Sequence, residues 1–69
     1  MTWRWEDKPP HMGWYAISFC WEVAEGSFVG AAFFDGESWD STLPIVGFSD
    51  EFFLSKEKAE AWAKENDFT

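Results

Sequence analysis

The chain has 69 residues, 46% of them hydrophobic and 22% aromatic, with 13 acids against five bases for a formal net charge of −8. At this length it makes one domain at most, and its aromatic load excludes disorder, since each ring buries roughly 150–250 Å² and a short chain needs such side chains to build a core. The acidity argues against direct binding of nucleic acid or of an anionic membrane, both of which need Lys and Arg, and in favour of basic protein surfaces as partners.

Residues 1–12 form an N-terminal arm, in which "KPPHMG" favours an irregular or polyproline-like path ending where Gly13 permits a turn. From Trp14 to Glu22 the pattern alternates: Tyr15, Ile17, Phe19 and Trp21 share one face, Ala16, Ser18 and Cys20 the other. That period of two predicts a strand. A turn at 24–26 and the apolar run "SFVGAAFFD" predict an antiparallel hairpin, with Gly30 marking either a bulge or a neighbouring ring laid over the gap. Asp35-Gly36 is a strong turn dipeptide, and "ESWDS" can start a third strand beyond it. "TLPIVGF" reads as a short extended piece, with Pro44 at an edge or at a strand's first residue.

The C-terminal segment carries helix signals. Ser55 is a good N-cap, Glu57 sits in the first turn, Glu60 and Lys64 form an i,i+4 pair, and Ala59, Trp62 and Ala63 make an apolar stripe. Leu54 is placed to staple against Ala59. The expectation is therefore α+β: a three- to four-stranded antiparallel meander over 13–53, strands in chain order, with a helix over 55–66 packed through Trp62 on the aromatic face of the first strand.

Catalytic signatures are lacking. Cys20 is expected mid-strand as a small hydrophobe, and the single histidine, His11, in the arm as a solvated residue. Asp35, Glu37 and Asp40 do not follow the alternating ligand spacing of a calcium loop, and a chain this short leaves little room for a sugar cleft. The reading is a binding protein, with no enzyme activity, metal or cofactor. One cysteine excludes an internal disulfide, no basic-then-apolar leader marks a secretory signal, and no apolar run approaches the roughly 20 residues of a membrane span, so a cytoplasmic monomer or weak dimer is expected.

Charge distribution is the most informative feature. Between Pro9 and Ser55 lie seven acids (Glu22, Glu25, Asp35, Glu37, Asp40, Asp50, Glu51) and no Lys or Arg. Acids gathered at strand ends serve solubility in one reading. In the other they imitate the spaced charge of a nucleic-acid backbone and occupy the basic groove of a protein that handles nucleic acid. The expected contact surface is Glu22, Glu25, Asp35, Glu37 and Asp40, with Trp39 or Trp14 as an aromatic anchor. The alternative is an accessory protein whose acidity only solubilises it and which binds through an aromatic patch.

Over residues 3–40, "W…DKPPHMGWYAIS" followed by "AAFFDGESWDS" resembles small phage and prophage proteins of unknown function that combine Trp, Pro-Pro and Gly-x-Tyr with a Phe-Asp-Gly-x-x-Trp hairpin. The resemblance implies a mobile-element origin and action in the host cytoplasm. It also implies, by analogy of size and acidity, an inhibitor of host defence such as an anti-CRISPR protein that imitates DNA.

Overall fold

Alternation from Gly13 onward does produce a strand. A computed structural model describes residues 1–6, 8–20, 27–41 and 44–67, and shows an α+β fold with β1 (Trp3–Arg4), β2 (Gly13–Phe19), β3 (Val29–Phe34), β4 (Ile45–Ser49) and α1 (Lys56–Glu65). All pairings are antiparallel. β2 and β3 form the expected hairpin, from Gly13 opposite Phe34 to Ser18 opposite Val29. Trp21, Glu22, Glu25 and the 24–26 turn lie outside the described residues.

The strands do not follow chain order: the sheet runs β1-β4-β2-β3. β4, which the sequence marks only as a short extended piece, sits inside the sheet between β1 and β2, with Pro44 just before its first residue. The third strand expected at "ESWDS" shrinks to one bridge between Phe34 and Trp39. Within the arm, Trp3–Arg4 pairs with Ser49 and Phe48 because its side chains find partners: the Trp3 ring lies tilted against Trp62 at 5.0 Å and its Nε1–H donates to the Asn66 carbonyl. Trp5 lays its ring over Gly47, where a β-carbon would meet it at 2.5 Å.

Each sheet face has its own cluster. Tyr15, Ile17, Ala32, Phe34 and Phe48 are buried on one, with Phe19, Trp39 and Ile45 against them; Ala16, Val29 and Ala63 are buried on the other, with Trp3, Phe53 and Trp62. The helix therefore covers the small-residue face of β2, not the aromatic face on which it was expected. Ala16, Ala59 and Ala63 are all fully buried, and such small side chains let helix and sheet approach closely. Phe19 lies over Gly30, its ring 3.2 Å from where a β-carbon would stand, which is the second of the two expectations for that glycine.

The helix begins and ends where its signals place it. The Ser55 hydroxyl accepts from Lys58 N–H at 3.3 Å, Glu57 occupies the first turn, and Asn66 closes the end through its N–H to the Trp62 and Ala63 carbonyls. Two local expectations differ. Leu54 is 82% exposed and staples nothing, and the i,i+4 ion pair is Lys56–Glu60 at 3.8 Å. Cys20 is exposed one residue beyond β2, not buried in mid-strand.

Candidate functional site

The loop 35–38 owes its shape to two residues. Asp35 Oδ1 accepts from Glu37 N–H and Ser38 N–H, both at 2.8 Å, while Gly36 takes a φ of 104° that other residues rarely adopt. Asp35 N–H donates to the Ser38 carbonyl at 3.1 Å and Asp40 N–H to that of Phe33 at 2.8 Å, which closes the turn onto the sheet. Asp35, Glu37 and Asp40 are all exposed on this hydrogen-bonded turn.

Trp39 is different. Its ring lies 5.2 Å from Phe34, 5.6 Å from Tyr15 and 5.8 Å from Phe48, and it is half-buried as the lid of the aromatic cluster. Trp14 is half-buried too, edge-on to Phe33 at 5.4 Å. Of the sequence-predicted contact residues, Asp35, Glu37, Asp40 and Trp39 come together at the turn. Glu22 and Glu25 lie outside the described residues.

The Asp35 carboxyl is held below its usual range, first by the Ser38 N–H, then by the Glu37 N–H, with the Lys8 ammonium a minor contributor. The ion pairs Arg4–Glu6 and Lys56–Glu60 join neighbours within the arm and the helix, and neither reaches the turn. Among the described residues no group of three His, Cys, Asp or Glu is arranged to hold a metal ion, and no helix is long and apolar enough to cross a membrane.

A second feature was not legible in the sequence. Between Ser49 and the Trp14–Phe53 bridge the chain bows outward, and the Ser49 hydroxyl accepts the Ala16 N–H while donating to the Glu51 carbonyl. The bow and the arm enclose an open groove of 480 Å³ lined by Pro10, His11, Tyr15, Asp50, Glu51, Phe52 and Leu54. His11 stacks on Phe52 at 4.4 Å, and Tyr15 O–H donates to the His11 carbonyl at 2.6 Å. Burial raises the Tyr15 hydroxyl above its ordinary value. Of the two lining acids, Asp50 is engaged structurally, accepting from Thr2 N–H at 3.1 Å. The one local hint is the apolar run "FFL" directly after two acids, which fits neither a strand nor a helix period but does not say what it meets.

No family model matches the chain, and no curated protein or solved structure matches it either.

Proposed function

We propose that the protein binds a basic protein surface through the acidic end of its sheet, and that by occupying the groove of a nucleic-acid-handling complex it blocks that complex in the manner of a DNA mimic. The observation that carries this reading is the turn itself: Glu37 and Asp40 are exposed on a loop whose shape Asp35 fixes. Charges held in place pay less ordering entropy on binding than charges on a mobile loop. Long-range attraction then steers association. An anti-CRISPR-type inhibitor from a mobile element is the specific form this takes.

Asp35 cannot be the residue reversed in a test, because its carboxylate builds the turn. Glu37→Lys with Asp40→Lys changes the net charge by four and leaves the Asp35 acceptor in place. Duplex binding by a CRISPR effector complex is titrated with the wild-type chain and with this variant, at rising salt. Inhibition should fall in the variant and fade as the Debye length shrinks below about 10 Å at 0.1 M. Inhibition that survives both the reversal and about 0.5 M salt would sink the reading. It would favour the groove instead, where Phe52 is 42% and Leu54 82% exposed and an aromatic contact needs no charge.

A further inference from the structure

β3 is an edge strand, and among the described residues its outer side is taken only at its C-terminal end, by the Phe34–Trp39 bridge and Asp40. Phe33 C=O turns away from β2 to accept from Asp40 N–H at 2.8 Å, whereas Phe28 C=O turns inward to accept from Phe19 N–H at 2.8 Å. Strand alternation then sets the main-chain groups of Val29, Ala31 and Phe33 toward the outer edge. Val29 N–H donates to Ser27 Oγ at 3.4 Å. Val29 C=O, both Ala31 groups and Phe33 N–H have no partner among the described residues.

Edges of this kind are normally blunted by charge, proline or a covering element. "VGAAFF" contains neither a charge nor a proline, and Gly30, Ala31 and Phe33 are only half-buried. Carboxylates stand at both ends: Asp67 accepts from Ser27 Oγ at 3.2 Å before the strand, and Asp35 and Asp40 follow it. A second copy of the chain is a poor occupant, since each copy carries a net charge of −8.

We infer that the β3 edge takes an extended segment of a partner protein, apolar or β-branched in the middle and basic at both ends, added as a further antiparallel strand. Such a strand makes two hydrogen bonds to Ala31 and one each to Val29 and Phe33. Its basic residues lie roughly 20 Å or more apart, the length of six residues at about 3.4 Å each, and meet Asp67 at one end and Asp35 with Asp40 at the other. This deepens the acidic-surface reading and rests on it: the carboxylates choose a basic partner, and the edge sets its conformation and direction.

The probe is a synthetic peptide with two lysines at each end and alternating threonine and valine between them. Its control has the same sequence with the central amides N-methylated, which keeps the charge and removes the donors. The unmodified peptide should slow amide exchange at Ala31 and Phe33, and the control should not. Ala31→Pro deletes an outward N–H without touching the β2 ladder, a position where proline is tolerated, and should weaken peptide binding at least about tenfold, as expected for losing one well-formed hydrogen bond. Should that variant fail to fold, the N-methylated control decides the matter alone. Equal binding of both peptides, or unchanged exchange at Ala31 and Phe33, overturns edge pairing. If such binding is still salt-sensitive and lost in Glu37→Lys with Asp40→Lys, the acidic-surface reading stands without the edge. If the unmodified peptide alone slows exchange but ignores charge reversal and salt, it is the acidic-surface reading that falls. A dimer of the unliganded chain that Ala31→Pro dissociates overturns the basic segment as occupant.

Discussion

On the sheet face away from the helix, Phe34 and Phe48 are fully enclosed and Trp39 closes over them; on the helix side, Ala16 meets Ala63 with so little side chain that helix and strand lie close together. The first face is stabilised by filling volume with rings, the second by leaving volume out. Both are buried, yet they should respond to opposite substitutions. This follows from packing density: a core near close packing is damaged by a missing ring and equally by an added one.

The largest expected effect breaks the aromatic face. Phe48→Ala removes a fully buried ring that touches Tyr15 and Trp39, and should cost about 3–5 kcal/mol, a large share of the 5–15 kcal/mol or so that small domains possess. Denaturant unfolding followed by tryptophan fluorescence measures it. On the helix face the damaging change is the reverse: Ala63→Leu should destabilise by about 1–3 kcal/mol through overpacking, although it raises hydrophobicity and suits a helix. An Ala63→Leu chain as stable as wild type would show that the helix stands off the sheet.

Trp62→Ala sharpens the contrast. Trp62 is half-buried between Trp3 at 5.0 Å and Phe53 at 6.3 Å, so its loss should cost about 2 kcal/mol, below the range for a fully buried ring. A cost equal to that of Phe48→Ala would mean that the helix face also depends on filling. The turn gives a smaller effect with a distinctive pH dependence. Asp35→Ala should lower the melting temperature and Asp35→Asn should largely restore it, because the amide oxygen still accepts the two N–H bonds. An unfolded aspartate titrates near pH 3.9, and the folded Asp35 below its usual value. Its contribution is therefore full above the unfolded value and is lost as pH falls through the lower folded one. The difference between wild type and Asp35→Ala should shrink in strong acid to the part that a neutral acceptor oxygen still supplies, the level shown by Asp35→Asn, which melting curves from neutral to acid pH would check. The smallest effect is expected at Ser18, whose buried Oγ has no partner among the described residues. Ser18→Ala should be neutral or slightly stabilising, within about 0.5 kcal/mol, since it removes a desolvated hydroxyl.

Signals between near neighbours were legible. Ser55 capping Lys58 and the run of helix formers after it define α1 from Lys56 to Glu65, and Asp35-Gly36 defines the turn. Alternation from Gly13 to Phe19 defines β2, because a side chain's face in a strand depends only on its parity. The acidic half of the candidate site was readable for the same reason: Glu37 and Asp40 flank a turn that their own neighbours make. The groove was not, since His11 and Phe52 meet only after the chain has returned from β4.

By itself, then, the sequence determined β2, its hairpin with β3, the helix with its cap and the acidic turn, all of which are decided within a few residues by capping, turn chemistry and side-chain parity. Tertiary structure alone decided which face the helix covers, where β4 inserts, and that Trp3–Arg4 becomes a strand. The physical reason is that these outcomes compare distant partners for the same surface. Aromatic rings on β2 invite a helix in sequence, but Trp39 reaches them first from the neighbouring turn, and the alanines of α1 fit only where Ala16 and Val29 leave room. Likewise β1 pairs with β4 because Trp3 finds Trp62 and the Asn66 carbonyl at the far end of the chain, a match that no local window contains.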